Sequence, residues 1–430
     1  MLSYGVTSLP PAYSYDKDSP VCTSIVHEHY RRACGCSYIP PFSLKSGPLP
    51  KSRRPIFFLL AASAILWIGA VIHPVKAWAG TEPVIKVLVD ESRGQVLVRG
   101  KKLQVLRLSD NRWTAIVGGL SRASVSYRNG LVALDGTSVR EGQLAIRPKG
   151  GTVTVNGREY KGRILILPDG SGLSVVNEVP LEKYLAGLVN AEISSKWPME
   201  AVKAQVVAAR TYALYKMDKS EEFYHLRSDV SDQVYLGAAA EDKRALKAVR
   251  STRGEVLKYE NDLIPAFYHS NCGGKTADAA DVWGVPHPAL KSTQCSFCSD
   301  APYGHWRLTL SWAELQKSIS GLYPGTGRVK SITVRKRSGD GRVTILAVVT
   351  EKGRILVDSG DFRKEVGYDR LPSTLFRMGG GDGNVIFEGR GFGHGVGLCQ
   401  WGAKGASERG WDYVRILGKF YRNAVIRHVY

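Results

Sequence analysis

The stretch that decides the fold class is residues 180–192, Pro-Leu-Glu-Lys-Tyr-Leu-Ala-Gly-Leu-Val-Asn-Ala-Glu. Its apolar side chains follow the i, i+3, i+4, i+7, i+8 spacing of an amphipathic helix and are Leu181, Tyr184, Leu185, Leu188 and Val189. Pro180 suits the first turn of a helix, where its missing N–H would have no partner. Because this helical pattern directly follows a long β-like segment, the sequence predicts an α+β fold.

The segment before this helix, residues 80–172, is expected to be a β-rich module. Apolar side chains alternate with period two, as at Ile85, Val87 and Val89. Hairpin turns are indicated by four dipeptides, Asn129-Gly130, Asp135-Gly136, Asn156-Gly157 and Asp169-Gly170. Leu106 and Leu108 reverse the alternation, which predicts a bulge or a strand end near them. No cluster of catalytic residue types stands out here, so we interpret this module as a scaffold or a carbohydrate-binding unit.

Residues 173–430 are expected to form a second, mixed domain. A second helix is predicted from Pro198 to about Tyr215, with Gln205 and Arg210 as its notable polar side chains. A third, short helix is predicted at 241–250, and strand-like runs lie at 254–270, 328–350 and 384–390.

The N-terminal 79 residues are typical of an export signal. Residues 1–54 are expected to be disordered, since residues 1–50 contain seven of the 20 prolines. Within 55–79, an apolar run from Ile56 to Ile72 follows the basic cluster at 51–54 and precedes the small-x-small site Ala77-Trp78-Ala79. A cleaved signal peptide and an uncleaved membrane anchor both fit, because a run of 17 residues is at the lower limit for a membrane span.

The composition is that of a globular protein with a strongly basic balance. Of the 430 residues, 43% are hydrophobic and 23% charged, which excludes a mainly disordered or fibrous chain. The formal charge of +20 favours a polyanionic partner. Since the chain is expected to act outside the cytoplasm, nucleic acid is excluded as a partner and an anionic envelope polymer is favoured. Membrane contact is expected only through the N-terminal segment.

Glu192 is the first candidate for chemistry. It lies four residues after Leu188, so it continues the apolar stripe of its helix. Burial disfavours a charged carboxylate and raises its pKa, as a general acid requires. An ion pair with Arg210 or Lys203 is the alternative.

The cysteines point to a metal site. His269, Cys272, Cys295 and Cys298 form two pairs with two residues between the members of each, a pattern typical of tetrahedral zinc. The alternative for an exported protein is a disulfide between two of the three cysteines. With four protein ligands the coordination shell would be closed, which favours a structural ion. With only three, water could complete the shell.

A glycine-rich loop is the third candidate. Residues 389–397 read Gly-Arg-Gly-Phe-Gly-His-Gly-Val-Gly and are followed by Leu-Cys-Gln-Trp-Gly-Ala. We interpret the run as a tight loop whose backbone amides approach a ligand and which presents His394. A turn with a packed histidine is the alternative. Gln400 and Trp401 suit sugar hydroxyls and sugar faces, which favours a glycan groove.

Taken together, these segments resemble the SpoIID/LytB family, the stage II sporulation protein D type of peptidoglycan-acting proteins. The matching stretches are 179–187, Ala191-Glu192, Trp197-Pro198, 200–205, 208–213, 232–237, His269-Ser270, 273–276, 281–283 and the glycine loop through Ala403. In this chain Ile193-Ser194 replace the family's Met-Pro after the glutamate, and Cys399 replaces a serine.

The resemblance implies a lytic transglycosylase that cleaves glycan strands, mainly peptide-stripped ones, to 1,6-anhydro-muramic acid ends, with Glu192 as acid/base. One carboxylate suffices, because the muramic acid's own 6-hydroxyl attacks in place of water. The candidate substrate-binding residues are Gln205, Arg210, His394, Gln400 and Trp401. Family members that bind zinc do so in the region of the His–Cys cluster. The alternative is a non-catalytic enhancer of a cell-wall amidase. A third hypothesis, a zinc hydrolase that acts on peptidoglycan peptides, lacks support because the sequence contains no His-Glu-x-x-His or similar motif.

Overall fold

The computed structural model describes residues 80–430 apart from residues 93, 140, 141, 171, 221 and 382. The predicted N-terminal extension (1–54) and the predicted signal or anchor (55–79) lie outside the described residues, so both stay predictions. In the described part of the chain, no helix is both long and apolar enough to cross a membrane. The described residues form both strands and helices, which confirms the α+β class.

A mostly antiparallel sheet of eleven strands opens the described chain. Its strands are Val84–Ser92 (β1), Gln95–Ser109 (β2), Arg112–Arg128 (β3), Leu131–Leu134 (β4), Thr137–Val139 (β5), Leu144–Arg147 (β6), Val153–Val155 (β7), Arg158–Tyr160 (β8), Arg163–Asp169 (β9), Gly172–Pro180 (β10) and Leu226–Arg227 (β11). The order is β11-β1-β10-β9-β6-β2-β3-β4-β5, with β7 branching from β2 and pairing with β8.

The predicted hairpins and bulge are confirmed in this sheet. Asn129-Gly130 joins β3 to β4, and both residues adopt positive φ (51° and 82°), as a type I′ turn requires. The pairing of β2 with β3 shifts register between Val105 and Leu106. The extra residue of this bulge is Ile116 of β3, because Val105 pairs with Val117 and Leu106 with Ala115. Leu106 lies on the opposite face of β2 from Val105 and packs in a separate small core with Leu88 and Leu165.

Three helices follow, Leu181–Glu192 (α1), Met199–Lys219 (α2) and Lys243–Ser251 (α3), with a 3-10 turn at Gly237–Ala240. The apolar stripe of α1 is buried as predicted, and it joins the inner face of the sheet and α2 in one hydrophobic core. This core includes residues from both sides of the predicted boundary at 172, for example Ile166 and Val189. The β-rich segment and the first part of the mixed domain are therefore packed as one unit.

The next stretch contains Glu255–Tyr259 (β12), Asp262–Leu263 (β13), Tyr268–His269 (β14) and the short helix Ala279–Trp283 (α4). A module with its own core then occupies residues 306–389, which we call the inserted module. Its elements are Trp306–Ser311 (β15), Trp312–Leu322 (α5), Val329–Arg337 (β16), Val343–Thr350 (β17), Gly353–Asp358 (β18), Ser359–Val366 (α6), Phe376–Gly381 (β19) and Asn384–Gly389 (β20). They form two three-stranded sheets, β15-β20-β19 and β16-β17-β18.

After the inserted module the chain returns to the elements that it left. Leu398–Cys399 (β21) pairs in parallel with β14, and Val425–His428 (β22) pairs with β12. Between them lie the helices Gln400–Glu408 (α7) and Tyr413–Phe420 (α8). A further hydrophobic core unites these segments with α2 and with the cysteines. The end of α1, β14 and the start of α7 thus meet in one region.

Candidate active site and metal centre

Glu192 is the last residue of α1. The helix ends there because Ile193 adopts an extended conformation, with φ −142° and ψ 166°. The Glu192 side chain is partly buried, and its Oε1 accepts a hydrogen bond of 2.8 Å from the backbone N–H of Val234. Tyr268 of β14 and Gln400, the first residue of α7, also hydrogen-bond to this carboxylate. Segments distant in sequence therefore converge on one carboxyl group.

The pKa of Glu192 is raised from 4.5 to about 7. Burial is the largest cause, because a charged carboxylate loses hydration in the site. The hydrogen bonds from Val234, Tyr268 and Gln400 lower the pKa but do not cancel the effect of burial. A carboxyl group with this pKa can donate a proton and take one back near neutral pH. The alternative ion pairs do not form: Arg210 pairs with Glu182 and Lys203 with Glu200.

Gln233 holds Tyr268 in place. Its side-chain oxygen accepts from the Tyr184 hydroxyl at 3.0 Å, and its Nε2 donates to the Tyr268 hydroxyl at 3.1 Å and to the Ala209 carbonyl at 3.2 Å. Gln233 is fully buried, so these bonds fix which way its amide points. Sequence reasoning missed Tyr268 and Gln233 as site residues. The available signal for Gln233 was its place in the matching stretch 232–237.

The two predicted glutamines do meet at the site. Gln400 Nε2 lies 3.5 Å from Gln205 Oε1, and Gln400 also contacts Glu192. The Gln205 Nε2 atom is buried without a hydrogen-bond partner. This amide donor is therefore available to a ligand or a water molecule at the site.

Trp401 packs against Trp197, which follows Glu192 by five residues. The ring centroids are 5.0 Å apart and the planes are inclined by 60°. Both side chains are partly exposed, and Lys404 Nζ lies 5.3 Å from the Trp401 ring centroid. Trp401 directly follows Gln400, which contacts Glu192, and aromatic faces of this kind are suited to sugar binding.

Arg210 has a structural role in place of the predicted role in substrate binding. Its side chain is fully buried and forms two hydrogen bonds of 2.8 Å to the Glu182 carboxylate. Further bonds reach Thr252 Oγ1 and the Glu255 carbonyl. The ion pair could not be predicted from the sequence position of Arg210, because Glu182 lies on another helix, α1.

The glycine loop packs closely against neighbouring backbone. The backbone N–H of Gly391 donates to the Tyr303 carbonyl at 2.7 Å, and that of Gly393 donates to the Pro372 carbonyl at 2.9 Å. At Gly397 (φ 72°), a Cβ atom would lie 2.0 Å from the Phe267 carbonyl oxygen. The glycines are thus needed for close approach to the neighbouring backbone.

His394 is likewise held by backbone atoms. Its Nε2 donates to the Tyr268 carbonyl at 2.9 Å, and its Nδ1 accepts from the Val396 N–H at 3.0 Å. Burial and the Arg363 charge lower the pKa of His394 to about 3, so the ring is neutral. The packed-histidine alternative fits these contacts, and the ring positions the backbone of Tyr268.

Four cysteines form a compact cluster. The sulfur atoms of Cys272, Cys295, Cys298 and Cys399 all lie within 4.8 Å of one another, and all four residues are buried. The Cys272–Cys298 and Cys295–Cys298 sulfur distances are 3.5 Å and 3.7 Å. Tetrahedral zinc with Zn–S bonds of about 2.3 Å places its sulfurs about 3.8 Å apart, so the cluster fits this ion. No pair of these cysteines forms a disulfide.

The fourth member of the cluster is Cys399, where the sequence predicted His269. The His269 Nδ1 lies 3.1 Å from the Val396 carbonyl oxygen, and its Nε2 has no partner. His269 ends β14, and a bend at Ser270 separates it from Cys272, so the two side chains do not share the alternation of one strand.

The sulfur of Cys399 has donors of its own. The backbone N–H groups of Cys272 and Gly402 each lie 3.3 Å from Cys399 Sγ. Cys399 also caps the N-terminus of α7. Burial raises the pKa of its thiol, so a bound cation would be needed to favour the thiolate. Thiolates are the form in which cysteine binds metals.

Two family models match parts of this chain. A family model described as Stage II sporulation protein (SpoIID) matches residues 169–259, which include Glu192 and Gln233. A domain of unknown function (DUF8618) matches residues 298–397, which include the inserted module.

The chain is similar to several relatives, of which it covers between about half and three quarters of the length. An uncharacterized protein of Brachyspira hyodysenteriae is 36% identical over 276 residues, 63% of this chain and 73% of that protein. The Stage II sporulation protein D of Bacillus subtilis is 29% identical over 267 residues, 58% of this chain and 75% of that protein. A Bacillus subtilis protein named Amidase enhancer is 27% identical over 357 residues, 69% of this chain and 48% of that protein.

Proposed function

The chain belongs to the SpoIID/LytB family of stage II sporulation protein D, and from this premise we propose that it is a peptidoglycan lytic transglycosylase. It cleaves glycan strands, above all peptide-stripped ones, and leaves 1,6-anhydro-muramic acid ends. Glu192 is its catalytic acid and base. The observation that carries the proposal is the partly buried Glu192 carboxyl, which has a pKa of about 7 and three hydrogen-bond donors around it.

The reaction needs one proton carrier. Protonated Glu192 gives its proton to the glycosidic oxygen while the bond from that oxygen to C1 of muramic acid breaks. Positive charge develops at C1, and the 6-hydroxyl oxygen of the same sugar then bonds to C1. The hydroxyl proton passes to the Glu192 carboxylate, which restores the starting state without consuming water.

This route differs from hydrolysis in needing a single carboxyl group. Hydrolytic glycosidases use a second carboxylate to activate water or to attack C1. In the described part of the chain, the hydrogen-bond partners of Glu192 are Val234, Tyr268 and Gln400, and none of them is a carboxylate.

The neighbouring residues supply substrate binding. Trp197 and Trp401 offer aromatic faces to sugar rings, and the amide of Gln205 has a donor to spare. The basic chain is attracted to the anionic wall. Action outside the cytoplasm agrees with the family, and the N-terminal segment is the proposed export signal or anchor.

A zinc ion bound by Cys272, Cys295, Cys298 and Cys399 is the proposed cofactor. Four thiolates fill a tetrahedral shell and leave no position for water, so the ion is structural. It ties the start of α7, and with it Gln400, to the loop after β14.

A non-catalytic enhancer of an N-acetylmuramoyl-L-alanine amidase is the second candidate function. The similarity to the protein named Amidase enhancer favours it. The two functions share wall binding and differ in what Glu192 does.

The test is digestion of peptide-stripped glycan strands by the purified full chain, with product ends identified by mass spectrometry. Transglycosylase activity predicts 1,6-anhydro ends from the wild type and none from Glu192→Gln. If neither protein cleaves strands but both bind them and both accelerate an added cell-wall amidase, the enhancer function is supported instead.

A further inference from the structure

An open groove of about 570 Å³ lies on the inserted module. Trp312, Ala313 and Gln316 of α5 form one side, and Arg328, Val329 and Lys330 at the start of β16 form the other. None of these residues contacts Glu192 or the four cysteines. The volume lies within the range of about 300–1,000 Å³ that small-ligand sites occupy.

Trp312 offers this groove an aromatic surface. Trp312 is 37% exposed, more than any other tryptophan among the described residues. An indole kept at the surface of a groove has apolar area to gain from a ligand that covers it. A pyranose ring, with its row of C–H groups, fits such a face.

The opposite side of the groove is positively charged. Lys330 is exposed and has no ion-pair partner among the described residues. Arg328 is 77% exposed, and its Nε lies 3.2 Å from Glu351 Oε1, which anchors the guanidinium beside the groove. An unpaired ammonium next to an aromatic face is complementary to a sugar that carries a carboxylate.

The groove is preformed. Gln316 Oε1 accepts from the Val329 N–H at 2.7 Å, and Gln316 Nε2 donates to the Gly327 carbonyl at 3.1 Å. These bonds tie α5 to the start of β16, so the two sides keep their spacing without a ligand. Binding then costs little ordering of the protein.

We propose that this groove is a second glycan-binding site, in which a muramic acid ring stacks on Trp312 and its free lactyl carboxylate binds Lys330 and Arg328. The choice of ligand rests on the proposed function. In peptide-bearing strands the lactyl group is an amide, so the site selects peptide-stripped strands. It would hold a strand on the inserted module while the strand is cleaved at Glu192.

The test is NMR spectroscopy of the full chain with ¹⁵N-labelled indoles, in a Glu192→Gln background so that no strand is consumed. Trp312→Phe identifies the Trp312 indole signal by its loss. We expect a peptide-stripped oligosaccharide to shift this signal, and Lys330→Gln to weaken that binding about fivefold or more. Arg354→Gln, an exposed substitution on β18 outside the groove, is the matched control and should change the affinity less than about twofold.

Two further ligands test whether the groove recognises a carboxylate and whether that carboxylate is the free lactyl group. A chitooligosaccharide, which lacks carboxylates, should bind at least about fivefold more weakly, and so should a peptide-bearing strand. An unmoved Trp312 signal, or equal affinity for the chitooligosaccharide, overturns the proposal. Equal affinity for peptide-bearing strands overturns the lactyl assignment. Because residue 192 is glutamine in every sample, these outcomes do not depend on whether the chain cleaves glycans.

Discussion

At Glu192 burial and hydrogen bonding act on the pKa in opposite directions, and burial prevails. The folded pKa of about 7 exceeds the ordinary value of 4.5, so the folded state holds more protons than the unfolded state between these values. The contribution of Glu192 to folding stability therefore falls as pH rises from about 4.5 through 7. The charged form that prevails above pH 7 is a cost to stability at the functional site.

Glu192→Gln should accordingly stabilise the protein, and more so at high pH. The neutral amide avoids the burial of a charge, so we expect the free energy of unfolding to rise by about 1–3 kcal/mol at pH 8 and by clearly less at pH 5. Urea denaturation at both pH values measures the difference. An equal change at both would show that the Glu192 carboxyl is not shifted by burial.

Tyr268→Phe should move the pH profile of strand cleavage. The variant loses one hydrogen bond to the charged form of Glu192, so the pKa of Glu192 rises further. Because cleavage needs protonated Glu192, the alkaline fall of kcat/KM should shift to higher pH while kcat drops. Tyr421→Phe is the control, since this buried hydroxyl donates to the Phe267 carbonyl and not to Glu192. An alkaline limb at the wild-type pH in Tyr268→Phe would contradict the assigned contact.

Among the elements, α7 is built for close packing. A Cβ atom on Gly402 would lie 2.7 Å from Cys295 Sγ, and one on Gly405 would lie 2.1 Å from the Phe297 carbonyl oxygen. The two glycines let the helix lie directly on the segment from Cys295 to Cys298. In α8, by contrast, a Cβ on Gly418 would meet no atom within 4 Å.

The two helices should therefore respond in opposite ways to the same substitution. Gly405→Ala should destabilise the protein by about 2 kcal/mol or more, because backbone must move to make room. Gly418→Ala should stabilise it by about 0.5–1 kcal/mol, the usual gain at an unobstructed helical position. Thermal or urea unfolding of both variants gives the answer, and stabilisation by Gly405→Ala would contradict the packing of α7.

Local patterns sufficed to predict individual elements. The stripe from Leu181 to Glu192 predicted α1 and the burial of its last carboxyl, and Asn-Gly dipeptides predicted hairpins, because these signals act within a few residues. The glycine loop shows where such local signals end. Alternating glycines allow close approach to any backbone, and only the fold shows that the partner is the segment from Phe267 to Cys272.

For the whole molecule, the four cysteines mark where the chain leaves and rejoins its main body. Cys298 precedes the inserted module and Cys399 follows it, about a hundred residues later. Sequence spacing indicated Cys272 and Cys295 as partners of Cys298 but did not indicate Cys399, because a contact across the inserted module leaves no local pattern. The Tyr268–Gln233–Tyr184 network escaped prediction because its hydrogen bonds join residues 35 and 49 positions apart in the sequence.

Metal analysis of the purified chain should find about one zinc. Cys399→Ser should lose most of it, whereas His269→Ala should keep it, because the His269 side chain lies outside the cluster. Chelation should lower the melting temperature, since the ion joins the two ends of the inserted module. Zinc lost in His269→Ala and retained in Cys399→Ser would restore the set predicted from the sequence. An oxidised pair in place of zinc would favour a disulfide.

The central claim is that one carboxyl group, Glu192, cleaves glycan strands without water. The most direct measurement is digestion of peptide-stripped strands in H₂¹⁸O, with the new ends analysed by mass spectrometry. We predict 1,6-anhydro ends that are one water lighter than hydrolysis products and free of ¹⁸O, and no such ends from Glu192→Gln. Reducing ends that carry ¹⁸O, or anhydro ends produced equally by Glu192→Gln, would contradict the account.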